Sequence, residues 1–268
     1  MSRGAAWLAA LAGGDGLVPG GPASVRMRDA PLGDEPARFL AVVPDPEGRF
    51  PRARGGEVGL EEGWALARHV RAAIEADAAG PRRALVAVVD VPSQAYGRLE
   101  ELLGLHLACA AAVDAYASAR LAGHPVVALL VGRAMSGGFL AHGYQANRIV
   151  ALDDAGVQVH AMGKSSAARV TRRTVAEVEA LGEKVLPMAY GVRALAQLGL
   201  VHRLIEGVSA DAPSGHDVAR VRREIAAAVA DARSGPRDLS PRLASPAARA
   251  RRAASIEVRR RLAEQWDG

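Results

Sequence analysis

The chain has 268 residues, of which 50% are hydrophobic and 24% are charged. A chain of this length buries roughly three quarters of its extended surface, so it can form a large core without disulfides, and its composition excludes wholesale disorder. The net charge of +5 resides in residues 216–268, where twelve Arg face seven acidic residues; this location, with 4% aromatic residues and no nucleic-acid recognition motif, argues against binding to nucleic acid.

Residues 1–36 are predicted to form an N-terminal extension. One Arg precedes a short apolar run at 5–12, which resembles a signal peptide faintly but is better explained as a short helix. Residues 13–36 are rich in Gly, Pro and Asp, which is typical of loops, with a possible short strand at 23–29. We expect no membrane span, since no run of eighteen apolar residues occurs, and a reducing, cytoplasmic location fits the lone Cys109.

Residues 37–207 are predicted to form one α/β domain, because apolar runs of strand length alternate with segments of helical periodicity. The strands should be mostly parallel. An Asp-Asp-Ala-Gly turn should join two short strands at 148–152 and 157–162 as a hairpin. Residues 216–268 should form an Arg-rich helical arm. The other predicted strands are 38–44, 84–90, 126–131 and 201–205, and the main helices are 60–79 and 98–121.

The stretch from Val126 to Gly143 is the best candidate for a functional site. Its apolar strand stops at Gly132, and Ser136-Gly137-Gly138 then opens a helix whose first N–H groups are free to bind an anion. The preceding strand ends in a polar loop at 90–98 that contains Ser93, Gln94 and Tyr96. Both loops follow the carboxyl ends of parallel strands, where ligands of such sheets bind. The alternative is that the two glycines serve only close packing.

Three segments also carry a resemblance to a known family. They are Asp90-Val91-Pro92-Ser93-Gln94-Ala95-Tyr96-Gly97-Arg98, Ser136-Gly137-Gly138 and Val159-His160-Ala161-Met162-Gly163-Lys164. They closely resemble the carboxyltransferase branch of the crotonase superfamily, and within it the gamma subunits of biotin-independent malonate decarboxylase. The resemblance covers residues 35–210. It implies a crotonase/ClpP-like fold of repeated strand-strand-helix units, followed by the C-terminal helical arm.

The resemblance implies a lyase subunit that acts with a homologous beta subunit as a hetero-oligomer. The expected reaction converts malonyl-S-acyl carrier protein to acetyl-S-acyl carrier protein and carbon dioxide, with an enolate stabilised in an oxyanion hole. Gly137 and Gly138 match the oxyanion-hole glycines, with Ser136 beside them, so Gly138→Val should abolish turnover without unfolding the chain. The substrate is carried on the carrier protein's CoA-derived prosthetic group, and we expect no biotin, metal or other cofactor on this chain.

The substrate-binding residues are expected to be Ser93, Gln94, Tyr96, His160 and Lys164. Ser93, Gln94 and Tyr96 stand where carboxyltransferases more often have a Gly-Phe pair, which argues against biotin recognition. Lys164 is a candidate for contact with a phosphate of the prosthetic group, the alternative being simple capping of a helix.

Three other functions remain open on sequence grounds. The first is a biotin-dependent acyl-CoA carboxyltransferase subunit, and the second is a non-catalytic scaffold whose partner holds the chemistry. The third is a Clp-like serine hydrolase, with Ser136 as nucleophile, His160 as base and Asp211, Asp153 or Asp154 as the third member. We favour Ser136 as a helix cap that positions the two glycine amides.

Overall fold

The computed structural model describes residues 1–266 as a mixed α/β protein with a central seven-stranded sheet. The strand order is β1-β2-β3-β4-β5-β7, and β6 pairs with β4 outside this path. The strands are β1 Val25–Leu32, β2 Glu35–Val42, β3 Ala84–Val91, β4 Val126–Met135, β5 Arg148–Leu152, β6 Gln158–His160 and β7 Arg203–Ile205. The helices are α1 Arg3–Ala12, α2 Leu60–Ala76, α3 Arg98–Leu102, α4 Leu105–Leu121, α5 Ser136–Ala141, α6 Lys164–Thr171, α7 Val175–Lys184, α8 Val192–Gln197, α9 Gly215–Ser234, α10 Pro241–Ala244, α11 Pro246–Arg251 and α12 Ala253–Trp266.

The expected parallel sheet is confirmed, because every strand pair except β1–β2 is parallel. The apolar runs of β3 and β4 are buried almost throughout, as strands covered on both faces must be. Helices α2 and α4 pack together as one layer, and α1 and α9 contact each other and the middle strands. The carboxyl ends of β3 and β4 therefore lie side by side at one edge of the sheet.

The segment 1–36 contributes both a helix and a strand to this core. Trp7 and Leu8 of α1 are fully buried, and the Trp7 indole N–H donates to the carbonyl of Ala210 over 2.9 Å. Arg3 bonds the carboxylates of Asp154 and Asp211. These contacts fix α1 to residues of the α/β core that lie 150 to 210 positions later in the sequence.

The hairpin predicted for 148–162 is wrong. β5 pairs with Val127–Leu130 of β4 and β6 pairs with Arg133–Met135, both in parallel. At ten residues β4 is long enough to hold two short strands end to end. The connecting turn is set by the Asp154 carboxylate, which accepts from the Gly156 N–H and from Arg3.

Two predicted boundaries also differ. β4 runs past Gly132 to Met135, so Gly132 does not end the strand. Gly132 instead lets the Asp90 side chain approach the β4 backbone, since a Cβ at this position would lie 2.1 Å from Asp90 Oδ1. The same Asp90 oxygen accepts from the Arg133 N–H over 3.1 Å. The single helix expected at 98–121 is two helices, because Gly104 adopts the left-handed φ of 88° between them.

The C-terminal arm divides into a buried and an exposed part. α9 belongs to the core, since its own side chains Val221, Ile225 and Ala228 are fully buried, whereas α12 buries none of its side chains. Among the helices of residues 1–266, none has both the length and the apolar character required to cross a bilayer.

Candidate active site

The candidate site begins at Ser136, where β4 turns directly into α5. Ser136 has a φ of 54°, one of two non-glycine residues with positive φ in the described part of the chain. Such a conformation is strained for a residue with a Cβ, and it persists where the surroundings impose it. The Ser136 hydroxyl donates to the carbonyl of Ala161 over 2.7 Å, so the side chain fastens this corner to the segment that follows β6.

Gly137 presents the backbone donor of the site. Its N–H donates to the side-chain oxygen of Gln94 over 2.9 Å, and the Ser93 hydroxyl lies 3.4 Å from the same oxygen. Gly137 and Gln94 are both half-buried, so a ligand can approach them. The loop that follows β3 thus caps the Gly137 amide with a neutral carboxamide.

Gly138 has a different environment from its neighbour. It is buried, and a Cβ there would lie 2.3 Å from the backbone carbonyl oxygen of Ser93 and 3.1 Å from the Gln94 N. No larger residue fits without displacing this loop. The close-packing alternative therefore describes Gly138, while Gly137 is the accessible donor.

A cavity of about 380 Å³ opens beside Ser136 and Gly137. Its polar margin consists of these two residues and His160, and the rest of its wall is largely apolar. The wall includes Phe139 and Leu140 of α5, Ile149, Val159, Leu186, Pro187, Leu195, Leu198 and Leu200, with Tyr144. An apolar wall beside a few convergent polar groups is the usual form of a small-molecule site.

His160 borders this cavity and is held by three contacts. Its Nδ1 lies 3.0 Å from the Met162 carbonyl oxygen and 3.2 Å from the Met162 N, and its ring stacks on Tyr190 with 4.0 Å between centroids. Burial lowers the pKa of the imidazole, which keeps the ring neutral at pH 7. His160 is thus a fixed, neutral wall residue.

The serine-hydrolase arrangement is not assembled in this geometry. The Ser136 hydroxyl uses the Ala161 carbonyl rather than His160 as its partner. Each proposed third member bonds an arginine instead of a histidine: Asp153 bonds Arg193, and Asp154 and Asp211 bond Arg3. The expectation that Ser136 caps the helix is also wrong, because Met135 holds the N-cap position and the Ser136 hydroxyl donates to the Ala161 carbonyl instead of accepting a helix N–H. Ser136 therefore forms a structural corner here.

The remaining predicted residues lie around the cavity rather than in its wall. The Lys164 ammonium bonds Glu179 over 2.7 Å and lies 5.5 Å from the centre of the Tyr190 ring. Tyr96 is 56% exposed and lies on the outer side of the 90–98 loop, next in sequence to exposed leucines of α3. The structure thus brings together Ser93, Gln94, Ser136, Gly137 and His160.

Sequence reasoning missed Tyr190 and the segment 186–189. The segment lines the cavity with Leu186, Pro187 and Ala189, and Tyr190 stacks on His160; no local sequence pattern predicts either contact. His142 is the residue that follows α5. His142 is fully buried, its Nε2 donates to the Val88 carbonyl, and its Nδ1 accepts from the Tyr116 hydroxyl at 3.1 Å, so it is structural.

Comparison with known proteins identifies the family. A family model described as "Malonate decarboxylase gamma subunit" matches residues 53–266, about four fifths of the chain. The chain belongs to the malonate decarboxylase gamma subunits. This membership confirms the resemblance seen in the sequence and gives the chain a place in a decarboxylating enzyme complex.

Solved structures of other malonate decarboxylase proteins agree with this family. The chain is 59% identical to a chain of a Pseudomonas malonate decarboxylase hetero-tetramer solved with coenzyme A, with a TM-score of 0.94 and 99% of this chain and 100% of that chain covered. For the Pseudomonas MdcD-MdcE hetero-dimer the identity is 59% and the TM-score 0.92, with the same coverage.

A more distant relative of this malonate decarboxylase subunit is a Malonomonas rubra protein described as "Malonyl-S-ACP:biotin-protein carboxyltransferase MADD". It is 35% identical over 221 residues, which cover 81% of this chain and 75% of that protein. A transcarboxylase 12S structure matches at 20% identity and a TM-score of 0.59, over 80% of this chain and 36% of that chain. That likeness concerns the fold alone, and in this sense the expected crotonase-like fold is confirmed.

Proposed function

We propose that this gamma subunit, paired with a homologous beta subunit, decarboxylates malonyl-S-acyl carrier protein through an enolate that backbone N–H groups stabilise. The observation that carries the proposal is the accessible Gly137 N–H at the margin of a largely apolar cavity. Membership of the malonate decarboxylase family supports the reaction class.

The chemistry requires little beyond such a site. The bond between the carboxylate carbon and the methylene carbon of the malonyl group breaks, its electron pair moves into the thioester, and neutral carbon dioxide leaves. The negative charge then lies on the thioester oxygen until the methylene carbon takes a proton. A backbone donor aimed at that oxygen lowers the barrier, because negative charge develops there as the bond breaks, and loss of one such donor costs about 3–4 kcal/mol in enzymes where it was measured.

Gln94 gives the Gly137 amide a selective function. An incoming oxygen must displace the Gln94 carboxamide, which is neutral. Hydrogen bonds to charged oxygens are roughly twice as strong as those to neutral ones, so a carboxylate or an enolate can displace Gln94. The carbonyl oxygen of the acetyl thioester is neutral, so its hydrogen bond to the Gly137 N–H is no stronger than that of Gln94 and it does not displace Gln94. We therefore assign Gln94 a role in selecting anionic oxygens, with Ser93 orienting its side chain.

The partner is proposed to dock on the exposed face of α3 and the start of α4. Leu99, Leu102, Leu103 and Leu107 are all more than half exposed there, and Tyr96 continues the apolar surface toward the 90–98 loop. Exposed apolar patches of this kind mark protein interfaces. Docking at this face places the beta subunit beside Ser93 and Gln94, so both chains can contribute to one substrate site, to which the acyl carrier protein delivers the malonyl group.

Carboxyl transfer to biotin is the second candidate, and the Malonomonas rubra relative favours it because its description names a biotin-protein. We propose instead a biotin-independent reaction, since the relatives of known structure at 59% identity are malonate decarboxylases. Release of carbon dioxide from malonyl carrier protein that persists in the presence of avidin supports decarboxylation, whereas release that stops on addition of avidin supports the biotin route.

The reconstituted complex with Gln94→Ala and Gln94→Glu tests the role of the Gly137 amide. In Gln94→Ala no carboxamide must be displaced, so KM for the malonyl carrier should fall about two- to tenfold, the range of one hydrogen bond. In Gln94→Glu a charged oxygen competes for the same donor and repels the substrate carboxylate, so KM should rise by about tenfold or more.

Gln158→Glu is the matched control, because Gln158 lies on β6 at the same edge of the sheet but outside the cavity wall. It adds the same charge and should change KM little. Equal KM values for Gln94→Ala, Gln94→Glu and the parent complex would show that the Gly137 amide takes no part in substrate binding.

Leu102→Glu tests the partner surface. Leu102 is 76% exposed, so the substitution spares the fold but places a charge in the proposed interface. We expect loss of co-purification with the beta subunit. Val170→Glu on α6 is the control, since Val170 is 69% exposed and distant in sequence from this face. Normal assembly of Leu102→Glu would place the interface elsewhere.

A further inference from the structure

A second pocket, of about 290 Å³, lies at the opposite edge of the sheet, where the parallel strands begin. His124 and Pro125 immediately precede β4, and Asn147 immediately precedes β5. The rest of the wall comes from the end of α4 and from the segment around the end of α9, namely Arg120, Gly123, Ala232, Arg233 and Arg237. The described wall of this pocket contains three arginines and no carboxylate.

Two of these arginines have no carboxylate partner among residues 1–266. Arg120 is 7% exposed, and its guanidinium donates to the carbonyls of Gln145 and Arg237. Arg237 donates to the carbonyl of Leu121 over 3.0 Å. Only Arg233 has an acidic partner, Glu35 at 2.7 Å. Backbone carbonyls therefore hold the guanidinium groups of Arg120 and Arg237 in place. No carboxylate among residues 1–266 lies within ion-pair distance of either group.

Burial makes this uncompensated charge costly. Desolvation lowers the pKa of the Arg120 guanidinium, and the nearby carboxylate of Asp238 offsets this effect only in part. A buried cation is stable when an opposite charge and further hydrogen bonds satisfy it. An anion in the pocket would supply both to Arg120.

Asn147 adds a neutral donor to the wall of this pocket. Its side-chain oxygen accepts from the Val126 N–H over 2.9 Å, which leaves its NH₂ group for a ligand. His124 also lines the pocket, but its Nδ1 donates to the Arg83 carbonyl over 3.0 Å, so its buried Nε2 carries a lone pair and does not donate to an anion. The donors available to an anion are therefore the two guanidinium groups and the Asn147 amide.

We propose that this pocket binds a compact oxyanion, either a phosphate or a small dicarboxylate, held by Arg120, Arg237 and Asn147. Guanidinium groups match the oxygens of both anion classes. The volume fits such an anion with several waters, since one water occupies about 30 Å³ in the liquid. The site lies at the edge of the sheet away from Gly137, so it is separate from the decarboxylation site.

The bound anion would join two parts of the chain. Arg120 belongs to the core at the end of α4, while Arg237 follows α9 and leads into the C-terminal arm. An anion between them fastens the arm to the core. Because a ligand that binds only the folded state stabilises it, thermal stability should rise with anion concentration.

The full chain in complex with its beta subunit provides the test. Inorganic phosphate and malonate are titrated separately by calorimetry, with chloride keeping the ionic strength constant, and thermal unfolding is followed in parallel. We expect saturable binding of at least one anion and a rise in unfolding temperature. Arg237→Ala removes an exposed side chain and should weaken binding by about tenfold or more, the range of hydrogen bonds to charged groups.

Arg223→Ala is the matched control, because Arg223 is exposed on α9 and outside the pocket wall. It removes the same charge and should leave binding unchanged. Arg237→Lys keeps the charge without the planar fork and should bind with intermediate affinity, which separates anion binding from a folding defect of Arg237→Ala.

Saturable phosphate binding lost in Arg237→Ala supports the proposal with a phosphate ligand, and malonate binding lost in the same variant supports it with a dicarboxylate. Malonate binding that Arg237→Ala leaves intact belongs to the decarboxylation site. The proposal is overturned if neither anion shows binding that depends on Arg237, or if Arg223→Ala weakens binding as much as Arg237→Ala does.

Discussion

The two edges of the central sheet differ in how their polar groups are held. At the carboxyl edge, neutral side chains contact backbone groups: Gln94 caps the Gly137 N–H and Ser136 bonds the Ala161 carbonyl. At the amino edge, guanidinium groups bond carbonyls and carboxylates, as in the Arg83–Asp77 pair. The Gly137 corner is thus held by neutral contacts that a ligand can displace, whereas the amino edge around Asp77 is held by an ionic contact that stabilises the fold.

Gly138→Val gives the largest expected effect and tests the carboxyl edge. A Cβ at this position collides with the Ser93 carbonyl and displaces the loop that carries Gln94. Misplacement of a catalytic group by about 1 Å can cost 100-fold, so kcat/KM for carbon dioxide release should fall by at least about that factor. Overpacking should lower the free energy of unfolding by only about 1–3 kcal/mol.

Gly137→Ala is the control for this substitution. Its Cβ would meet the end of the flexible Gln94 side chain at 3.1 Å, which can move aside. The N–H donor remains, so activity should fall less than about tenfold, the range of one hydrogen bond. If Gly137→Ala impairs activity as strongly as Gly138→Val, the two glycines do not have the separate roles assigned to them.

Asp77→Ala tests the amino edge, and it should lower the stability of the fold without lowering catalysis. Asp77 and Arg83 bond over 2.7 Å with side chains only 10% and 19% exposed. Arg83 keeps Asp29 at 3.0 Å as a second partner, so removal of Asp77 should cost about 1.5–3 kcal/mol, the range of a hydrogen bond to a charged group. Urea unfolding should show this loss, while kcat/KM per folded molecule stays unchanged.

Asp114→Ala provides the reference, because Asp114 forms an exposed pair with Arg71. That pair should contribute less than about 1 kcal/mol. A loss of catalysis in folded Asp77→Ala would contradict the division between a stabilising and a catalytic edge.

The last prediction concerns the dependence of stability on pH. Burial lowers the pKa of His142 from 6.5 to about 4, so below pH 6.5 the unfolded chain binds a proton that the folded chain excludes. Stability is therefore fully present above pH 6.5 and decreases as the pH falls toward 4. The shift corresponds to roughly 3 kcal/mol. The free energy of unfolding, measured from pH 7 to 4, should show this slope.

His142→Asn should flatten part of the slope, although it lowers stability at pH 7. His69, whose pKa burial also lowers to about 4, accounts for a remaining part. His106→Gln serves as the control for replacing an exposed histidine. An unaltered slope in His142→Asn would show that His142 does not titrate differently in the folded and unfolded chains.

Local sequence patterns were enough to predict the parallel sheet and the two loops of the candidate site. Continuous apolar runs identify β3 and β4, and the carboxyl ends of parallel strands must share an edge. Patterns were insufficient where contacts between distant segments decide the structure. The Asp90 carboxylate accepts from the Arg133 N–H and so stabilises the part of β4 that follows Gly132. Arg3 bonds Asp154 and so fixes the turn after β5, although more than a hundred residues separate them in sequence.

The division of labour between Gly137 and Gly138 shows the same limit within the site. Both residues are glycines in one motif, so the sequence alone does not show that their roles differ. Only the position of the Ser93 carbonyl shows that one must lack a side chain for packing while the other exposes a donor. Tyr190, which orients His160 by stacking, belongs to a segment with no motif of its own.

The attachment of α1 has a consequence for the order in which the chain folds during synthesis. The Trp7 indole needs the carbonyl of Ala210, and Arg3 needs Asp154 and Asp211. The packing of α1 on β1, β2 and β3 can form early, whereas its hydrogen bond and ion pairs form only after some two hundred further residues have been synthesised. Nascent chains that end before Asp211 should therefore protect α1 less against proteolysis than longer chains do.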